Sequence, residues 1–594
     1  MFATDVSLIN VASEGDSFDM ADFPYGLALM TGYLRGQGFD CLLLQYHTWK
    51  EEDHLQPILD NPSYLYGFQV NFENYPQIQK LVKIIKEHNP QGKIVYGGPF
   101  VVSLYKELLK NDTNLDAVVL GEGEYTVADL ITKLKEGDPD WRLIPGLAWL
   151  GDGRKSKIGE IVTNPHRQAI QDMNEMPFAA RDGILEGSYD FEGKYVQQVR
   201  ITTSRGCTSN CSFCAVNVNS KWQRAKRWRG RSHVDVVDEI QELVEKYNVR
   251  LINLQDSAFD DPGTLGAKRT RLFCEEILKR GLEVSMKAYF RAHSIKDDPD
   301  SIELYKLYKE AGIDVLILGT EAGSDYELEL YQKNANLADN FRSFRVLDDL
   351  DLFYVHNGFI MFGPYSTMES LRLNIRFLME IERLHHWSNL DTTLILTPGA
   401  VLYEVMLKEG RVLSRDNFWE IPAYEFDDQR VVSLASHYAD LRINYAHTRD
   451  GESMFIDCSN IISRLKNKMN HRVAQKCEPE IREFTDILLR SKKIVNELSY
   501  QGFVENLNRV ERDGPKAKFV SEPYFGKPWL EAVNAIEHAY TALTNTILAN
   551  GFGLGGITFN FRDTAWDTKN QHHFVLNDSK QGTRGDMVSE LVGM

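Results

Sequence analysis

Short apolar runs alternate with amphipathic stretches over residues 1 to about 150, and the alternation starts afresh near residue 195. No other feature constrains the fold of this chain as much. Parallel strands need crossovers long enough to hold a helix, so a repeated strand and helix pattern reads as a parallel sheet covered by helices. In the first array the candidate strands are Val6 to Val11, Cys41 to Gln45, Tyr64 to Val70, Lys93 to Tyr96 and Ala117 to Leu120. Leu27 to Gly36 and Pro76 to Glu87 are helices between them. Residues 1–150 are therefore expected to form a doubly wound α/β domain. Residues 151–194 are polar and irregular, which suits a linker.

The second array, residues 195–410, offers strands at Gln197 to Thr203, Leu251 to Asp256, Glu283 to Tyr289, Val315 to Gly319, Val355 to Phe362 and Thr392 to Thr397. Helices fit between them at Val234 to Tyr247, Lys268 to Arg280, Pro299 to Ala311 and Leu371 to Ile381. Six such units give a partial (βα)6 TIM-like barrel, open on one side to admit a substrate. From residue 411 to 594 the pattern is mainly helical, and this part is expected to cover the open barrel and shape its pocket.

Composition narrows the function. The longest apolar runs, such as Val315 to Leu318, fall far short of the roughly 20 residues of a membrane span. The start, Met1-Phe-Ala-Thr-Asp, has no basic and apolar leader, so a cytoplasmic location is expected. A formal charge of -18 disfavours nucleic acid as a partner. Lys221 to Arg231 (KWQRAKRWRGR) is a basic exception; it reads either as a contact for an anionic group or as a solvated connector. Seven cysteines, three of them within eight residues, suit a reducing compartment and a metal site rather than a disulfide framework. Cys41, Cys274, Cys458 and Cys477 read as buried thiols.

Cys207, Cys211 and Cys214 follow the first barrel strand in the segment RGCTSNCSFC, so they fall on the first loop of the face where barrels carry their chemistry. Three close cysteines without a fourth suit an iron-sulfur cluster that leaves one iron open. Structural zinc is the alternative, and it asks for four ligands. CxxxCxxC at this place, with Phe213 before the third cysteine, resembles the radical S-adenosylmethionine (SAM) superfamily. The resemblance implies a 4Fe-4S cluster that chelates SAM and, on reduction, cleaves it to a 5′-deoxyadenosyl radical. It also implies an electron donor such as flavodoxin or ferredoxin. By the same resemblance Phe213, Asp256, Arg291, Glu321, Ser324 and Gly363 contact SAM; Glu321 and Ser324 stand in GTEAGS, where Ala322 replaces the usual serine. As bare residues, Asp256 also reads as a helix cap, Arg291 as a surface ion-pair partner, and Gly363 and Gly399 as turn glycines.

The front domain resembles the Rossmann-like, cobalamin-binding domain that precedes one class of these enzymes. Pro24-Tyr25-Gly26, LRGQGF at 34–39, Gly97-Gly98 and Gly121-Glu122-Gly123-Glu124 occur in that class's order. The resemblance implies cobalamin near Tyr25, Gly26, Asn71, Gly97, Gly98, Gly121, Glu122 and Gly123. The D-x-H-x-x-G segment that supplies a histidine to cobalt is absent, which directs attention to Asn71, Phe72 and Tyr75 for the cobalt's lower side. Together the two resemblances imply a cobalamin-dependent methyltransferase acting on an unactivated carbon of a small-molecule or peptide substrate. A radical SAM oxidoreductase, cyclase or epimerase that does not use cobalamin is the second reading, and a corrinoid-binding redox sensor a third.

Overall fold

The computed structural model describes residues 2–12, 25–47, 51–137, 140–151, 159–182, 189–191, 194–218 and 226–554. Pro24, residues 221–225 of the basic segment and the end of the helical region from 555 onward lie outside them.

The front sheet has seven strands: β1 (Thr4–Ala12), β2 (Cys41–His47), β3 (Ser63–Gln69), β4 (Lys93–Gly97), β5 (Ala117–Val119), β6 (Leu147–Leu150) and β7 (Ile161–Thr163), in the order β2-β1-β3-β4-β5-β6-β7. The first five run parallel, and β6 and β7 are antiparallel additions. Successive side chains of one strand leave on opposite faces. Ile9, Val11, Tyr66, Phe68, Ile94 and Tyr96 accordingly enter one core, while Val6, Leu8, Leu65, Val95 and Val119 enter another. Each fully buried Val, Leu or Ile contributes about 1.5–3 kcal/mol, so the two-sided apolar strands stabilise a sheet covered on both faces. The helices are Tyr25–Gly36, Glu51–Leu59, Tyr75–His88, Val101–Asn111 and Glu124–Lys135. Tyr75–His88 buries Tyr75, Ile78, Leu81, Val82 and Ile85, the one-face spacing of a packed helix.

The stretch read as a linker supplies a strand to each sheet. β7 closes the front sheet, and β8 (Tyr189–Phe191) forms an antiparallel hairpin with β9 (Lys194–Ile201). A short ribbon follows, β10 (Ser204–Gly206) with β11 (Trp228–Gly230). The barrel then continues through β12 (Val249–Leu254), β13 (Ser285–Arg291), β14 (Ile313–Glu321) and β15 (Tyr354–Phe359), ordered β15-β14-β13-β12-β9-β8.

Five strands are parallel, and the sixth expected strand, Thr392 to Thr397, is reduced to one bridge between Phe362 and Thr393. The cause is chemical. Leu394 N–H donates to the Phe362 carbonyl (2.8 Å), and the next ladder bond would need an N–H from Pro364, which has none. The waiting Leu394 carbonyl is taken instead by the Tyr424 hydroxyl at 2.9 Å.

Register across β13, β14 and β15 stacks the inward side chains in three layers: Lys287, Val315 and Tyr354; then Tyr289, Ile317 and His356; then Arg291, Gly319 and Gly358. The top layer is glycine on two strands, which opens room at the carboxyl end. The bottom is closed by the helix Ala446–Leu465, whose Ile456 packs on Val315, Tyr354 and Ile317. Its Ser463 hydroxyl donates to the Asp314 carbonyl at 2.7 Å. Behind it, helices Gln429–Asn444, Glu478–Asp513 and Lys527–Ala549 meet around Trp387 and Trp529, both fully buried. Cys41, Cys274, Cys458 and Cys477 are buried, as the sequence predicts. Among the described residues no helix is long and apolar enough to cross a membrane.

Candidate functional site

The three closely spaced cysteines stand on the loop after β9, between the strands of the β10/β11 ribbon. Gly206 enters this loop at φ 90°, and a Cβ there would lie 1.9 Å from the Arg227 carbonyl oxygen, so only glycine fits. Two buried carboxylates fix the loop to the barrel. Asp256 accepts the Thr203 and Ser204 N–H groups at 2.8 Å each, and the Thr203 hydroxyl donates to its other oxygen. Asp261 accepts Thr208 N–H at 2.9 Å and its hydroxyl at 2.5 Å. Arg291 ties this corner together, pairing with Asp261 at 2.8 Å and Asp260 at 3.2 Å and donating to Thr208 Oγ1 at 2.8 Å. The polar atoms of Asp256 and Arg291, expected beside SAM, are thus engaged in holding the cysteine loop. Neutralising Asp261 with asparagine is expected to weaken iron retention about 10- to 100-fold, the usual effect of losing an outer partner, measured as iron remaining after chelator challenge.

The far half of the loop docks on β14's exit. Ser212 donates its N–H to the Tyr331 carbonyl and its hydroxyl to that of Leu330, each at 2.9 Å, and accepts Leu402 N–H at 2.9 Å. Phe213 packs edge-on against Tyr331, ring centroids 5.5 Å apart, in a small core with Leu328, Ile360 and Leu402. Burial pushes the Cys211 thiol up to about 11 and raises Cys207 and Cys214 as well. Without a metal these are neutral thiols, and cluster assembly displaces their protons. All three are free of disulfides. Among the described residues no three or more His, Cys, Asp or Glu side chains are grouped to hold a single ion. Cysteines that each serve a separate iron of a cluster need no such common point.

Glu321 has φ 63°, a left-handed conformation costing about 1–2 kcal/mol in a non-glycine residue. Its carboxylate pairs with buried Lys333 at 2.6 Å. Burial opposes the lysine charge, but Glu321 foremost, then Cys211 and Cys214, hold its pKa above the ordinary value. A Cβ on Gly319 would lie 2.9 Å from Glu321 Oε1 and 3.0 Å from Lys333 Nζ, so the glycine layer makes room for the pair. Lys333 is a site residue that sequence reasoning missed; it lies in a turn with no periodic mark. Ser324 is buried and caps the helix Asp325–Leu330, its hydroxyl on Glu327 at 3.0 Å. Gly363 lies against Tyr331, where a Cβ would come within 2.4 Å of the hydroxyl, and donates its N–H to Ser366 at 2.9 Å.

The front domain presents the carboxyl end of its sheet. Gly98 has φ 106°, and its Cβ position is 3.2 Å from Gln69 Cγ; that of Gly26 is 3.1 Å from Gln69 Oε1. Gly97 is more open, nothing nearer than Val119 Cβ at 3.9 Å. Asn71 is used within its turn, its Oδ1 accepting Glu73 and Asn74 N–H at 2.9 and 2.8 Å. Phe72 lies against Phe100, ring centroids 6.3 Å apart. Tyr75, sought at this edge, is instead fully buried, because it begins the apolar face of its helix and packs edge-on against Tyr96 and at a tilt against Trp419.

Gly121, with φ 94°, and Gly123 flank Glu122, whose carboxylate binds the barrel. Arg229 grips Glu122 with two donors at 3.0 and 2.6 Å, and Arg205 pairs with Glu124 at 2.6 Å. Burial would raise the Glu122 carboxyl, but Arg229 and Arg205 hold it below its usual value. The Tyr25 hydroxyl accepts Thr202 N–H at 3.0 Å, a second tie to the cysteine loop. Arg229 and Arg231, from the basic segment, are buried ion-pair partners rather than solvated side chains; Arg231 meets Glu239 at 2.5 Å.

Residues 19–131 match the B12 binding domain and residues 201–378 the radical SAM superfamily. The chain carries a B12-binding domain followed by a radical SAM domain. OxsB, solved as a cobalamin-dependent SAM radical enzyme with aqua-cobalamin and SAM bound, shares the radical SAM and B12-binding fold across 99% of this chain and 83% of its own, with a TM-score of 0.64 at 17% identity. The anaerobic magnesium-protoporphyrin IX monomethyl ester cyclase of Cereibacter sphaeroides is 31% identical over 52% of this chain and 48% of its own length. The hopanoid C-3 methylase of Methylococcus capsulatus is 24% identical over 61% and 65%. The radical SAM chain thus spans about half the length of the cyclase and about two thirds of the methylase.

The family implies a 4Fe-4S cluster, SAM and cobalamin. The residues present fit these groups: three free thiols on one loop, a glycine layer over β14 and β15, and a glycine-lined cradle that a Cβ would fill.

Proposed function

We propose that this protein is a cobalamin-dependent radical SAM methyltransferase acting on an unactivated carbon of a small-molecule or peptide substrate. The observation that carries the reading is the direct tie between the glycine cradle's domain and the cysteine loop, through Tyr25 to Thr202 and Glu122 to Arg229. When bound, the cluster with SAM supplies a hydrogen-abstracting radical and the corrinoid a transferable methyl group. Cys207, Cys211 and Cys214 hold three irons. Glu321 and Lys333, paired at the top of the barrel, would bind SAM there, with Lys333 as a buried cation under the influence of Cys211 and Cys214. Asp256, Asp261 and Arg291 position the loop. The helix Ala446–Leu465 closes the barrel floor, opposite the cysteine loop. A one-electron donor such as flavodoxin or ferredoxin, in a reducing cytoplasmic setting, completes the system.

Ring formation without methyl transfer is the second reading, favoured by relatives named cyclases. After anaerobic reconstitution with iron, sulfide and hydroxocobalamin, about four irons per chain and a corrinoid band that survives desalting are expected. Label from the SAM methyl group should then enter product. Deoxyadenosine released without any labelled product, or iron without retained corrinoid, overturns methyl transfer.

A further inference from the structure

At the cradle edge Gln69 stands apart from its neighbours. It ends β3, a strand otherwise largely buried, and is itself exposed. Its backbone is held firmly: Asn74 Nδ2 donates to the Gln69 carbonyl at 3.0 Å and to that of Val11 at 3.3 Å, joining the ends of β1 and β3. Val70 N–H donates to the Gly97 carbonyl at 3.0 Å, which fixes the edge against β4. The side chain reaches across the two glycines, its Oε1 towards Gly26 and its Cγ against Gly98. Its amide has no hydrogen-bond partner among the described residues. Asn71 and Tyr75, by contrast, are spent on the turn and on the core.

Resting on the cobalamin reading, we infer that Gln69 is the side chain that faces the lower side of the corrinoid's cobalt. Ligands of open α/β sheets lie beyond the carboxyl ends of the strands, and the glycines let a flat macrocycle approach the backbone there. An amide is a weak neutral donor to cobalt, far weaker than imidazole, so Gln69 leaves the lower position free of a nitrogen ligand.

The test is the paramagnetic resonance of the reduced, cobalt(II) form of the bound corrinoid in the whole protein, with hydroxocobalamin as the probe. Wild type should show cobalt lines without nitrogen splitting. Gln69→His should retain corrinoid and gain triplet splitting from an imidazole nitrogen, while Asn71→His should not. Gln69→Ala should shift the absorption maximum of the bound corrinoid. A Gln69→His protein that holds corrinoid without triplets, or an Gln69→Ala spectrum identical to wild type, overturns the inference. If wild type itself retains no corrinoid, the cobalamin reading falls first, and that is visible before any substitution is made.

Discussion

Cys211→Ala is expected to drop the iron content from about four per chain to roughly none and to abolish SAM cleavage, because the cluster carries the chemistry and two thiolates cannot hold it. Cys211 is the most enclosed of the three, at 8% exposure, and its neighbour Ser212 anchors the loop through three backbone-directed bonds that the substitution leaves intact. The fold should therefore survive, with a loss of about 1 kcal/mol for one small buried side chain. Iron and acid-labile sulfide assays report the first effect, and the circular dichroism melt reports the second. A Cys211→Ala protein that still binds a full cluster and cleaves SAM would remove the assignment of this loop.

The second large effect is on stability. Arg442 lies at 4% side-chain exposure between two buried carboxylates, Asp391 at 3.1 Å and Glu452 at 3.2 Å. Ser388 further binds Glu452 through its N–H at 2.9 Å and its hydroxyl at 2.6 Å. Removing one member of a buried ion pair leaves uncompensated charge and costs about 3–5 kcal/mol, more than any exposed pair on this chain contributes. Arg442→Met should destabilise the helical region by that order, read by urea unfolding at neutral pH. The sign of its pH dependence follows from Glu452. Burial raises that carboxyl above its usual value even with Arg442 present, so its charged form costs stability as pH rises through the folded pKa. Without the arginine the variant should recover part of its loss on acidification, as Glu452 takes up a proton. A deficit that is constant across pH would show that the lost packing of the arginine stem, not charge, causes it.

The sequence displays what depends on periodicity. β1 to β5, β9 and β12 to β15 follow from strand-length apolar runs, because two-sided burial demands them. Cys207, Cys211 and Cys214 are legible because their spacing is dictated by one inorganic group. The sixth barrel strand was not, since its loss turns on one missing N–H at Pro364 and on a hydroxyl from Tyr424, far along the chain. Nor was the strand Ile161–Thr163, which has three residues and none of them buried. Partnership is the harder quantity. Glu122 reads as part of a glycine-rich ligand loop, yet two donors from Arg229, more than a hundred residues away, claim its carboxylate. Asp256 and Arg291 stand where chemistry is expected, and their polar atoms are bound to Thr203 and Thr208. Lys333 and Gln69 carry no mark at all, because their neighbours are brought by the fold.

The floor of the barrel has a consequence in time. Ile456, which seals the lumen against Val315 and Tyr354, follows Tyr354 by 102 residues in the chain. At synthesis rates of about 5–20 residues per second, the nascent barrel stands with an open apolar layer for roughly 5–20 seconds before its plug is made. During that interval Val315, Ile317 and Tyr354 face water or a chaperone. A barrel expressed without residues 446–465 is left in that state permanently, which makes this later-made helix part of the barrel's own solubility.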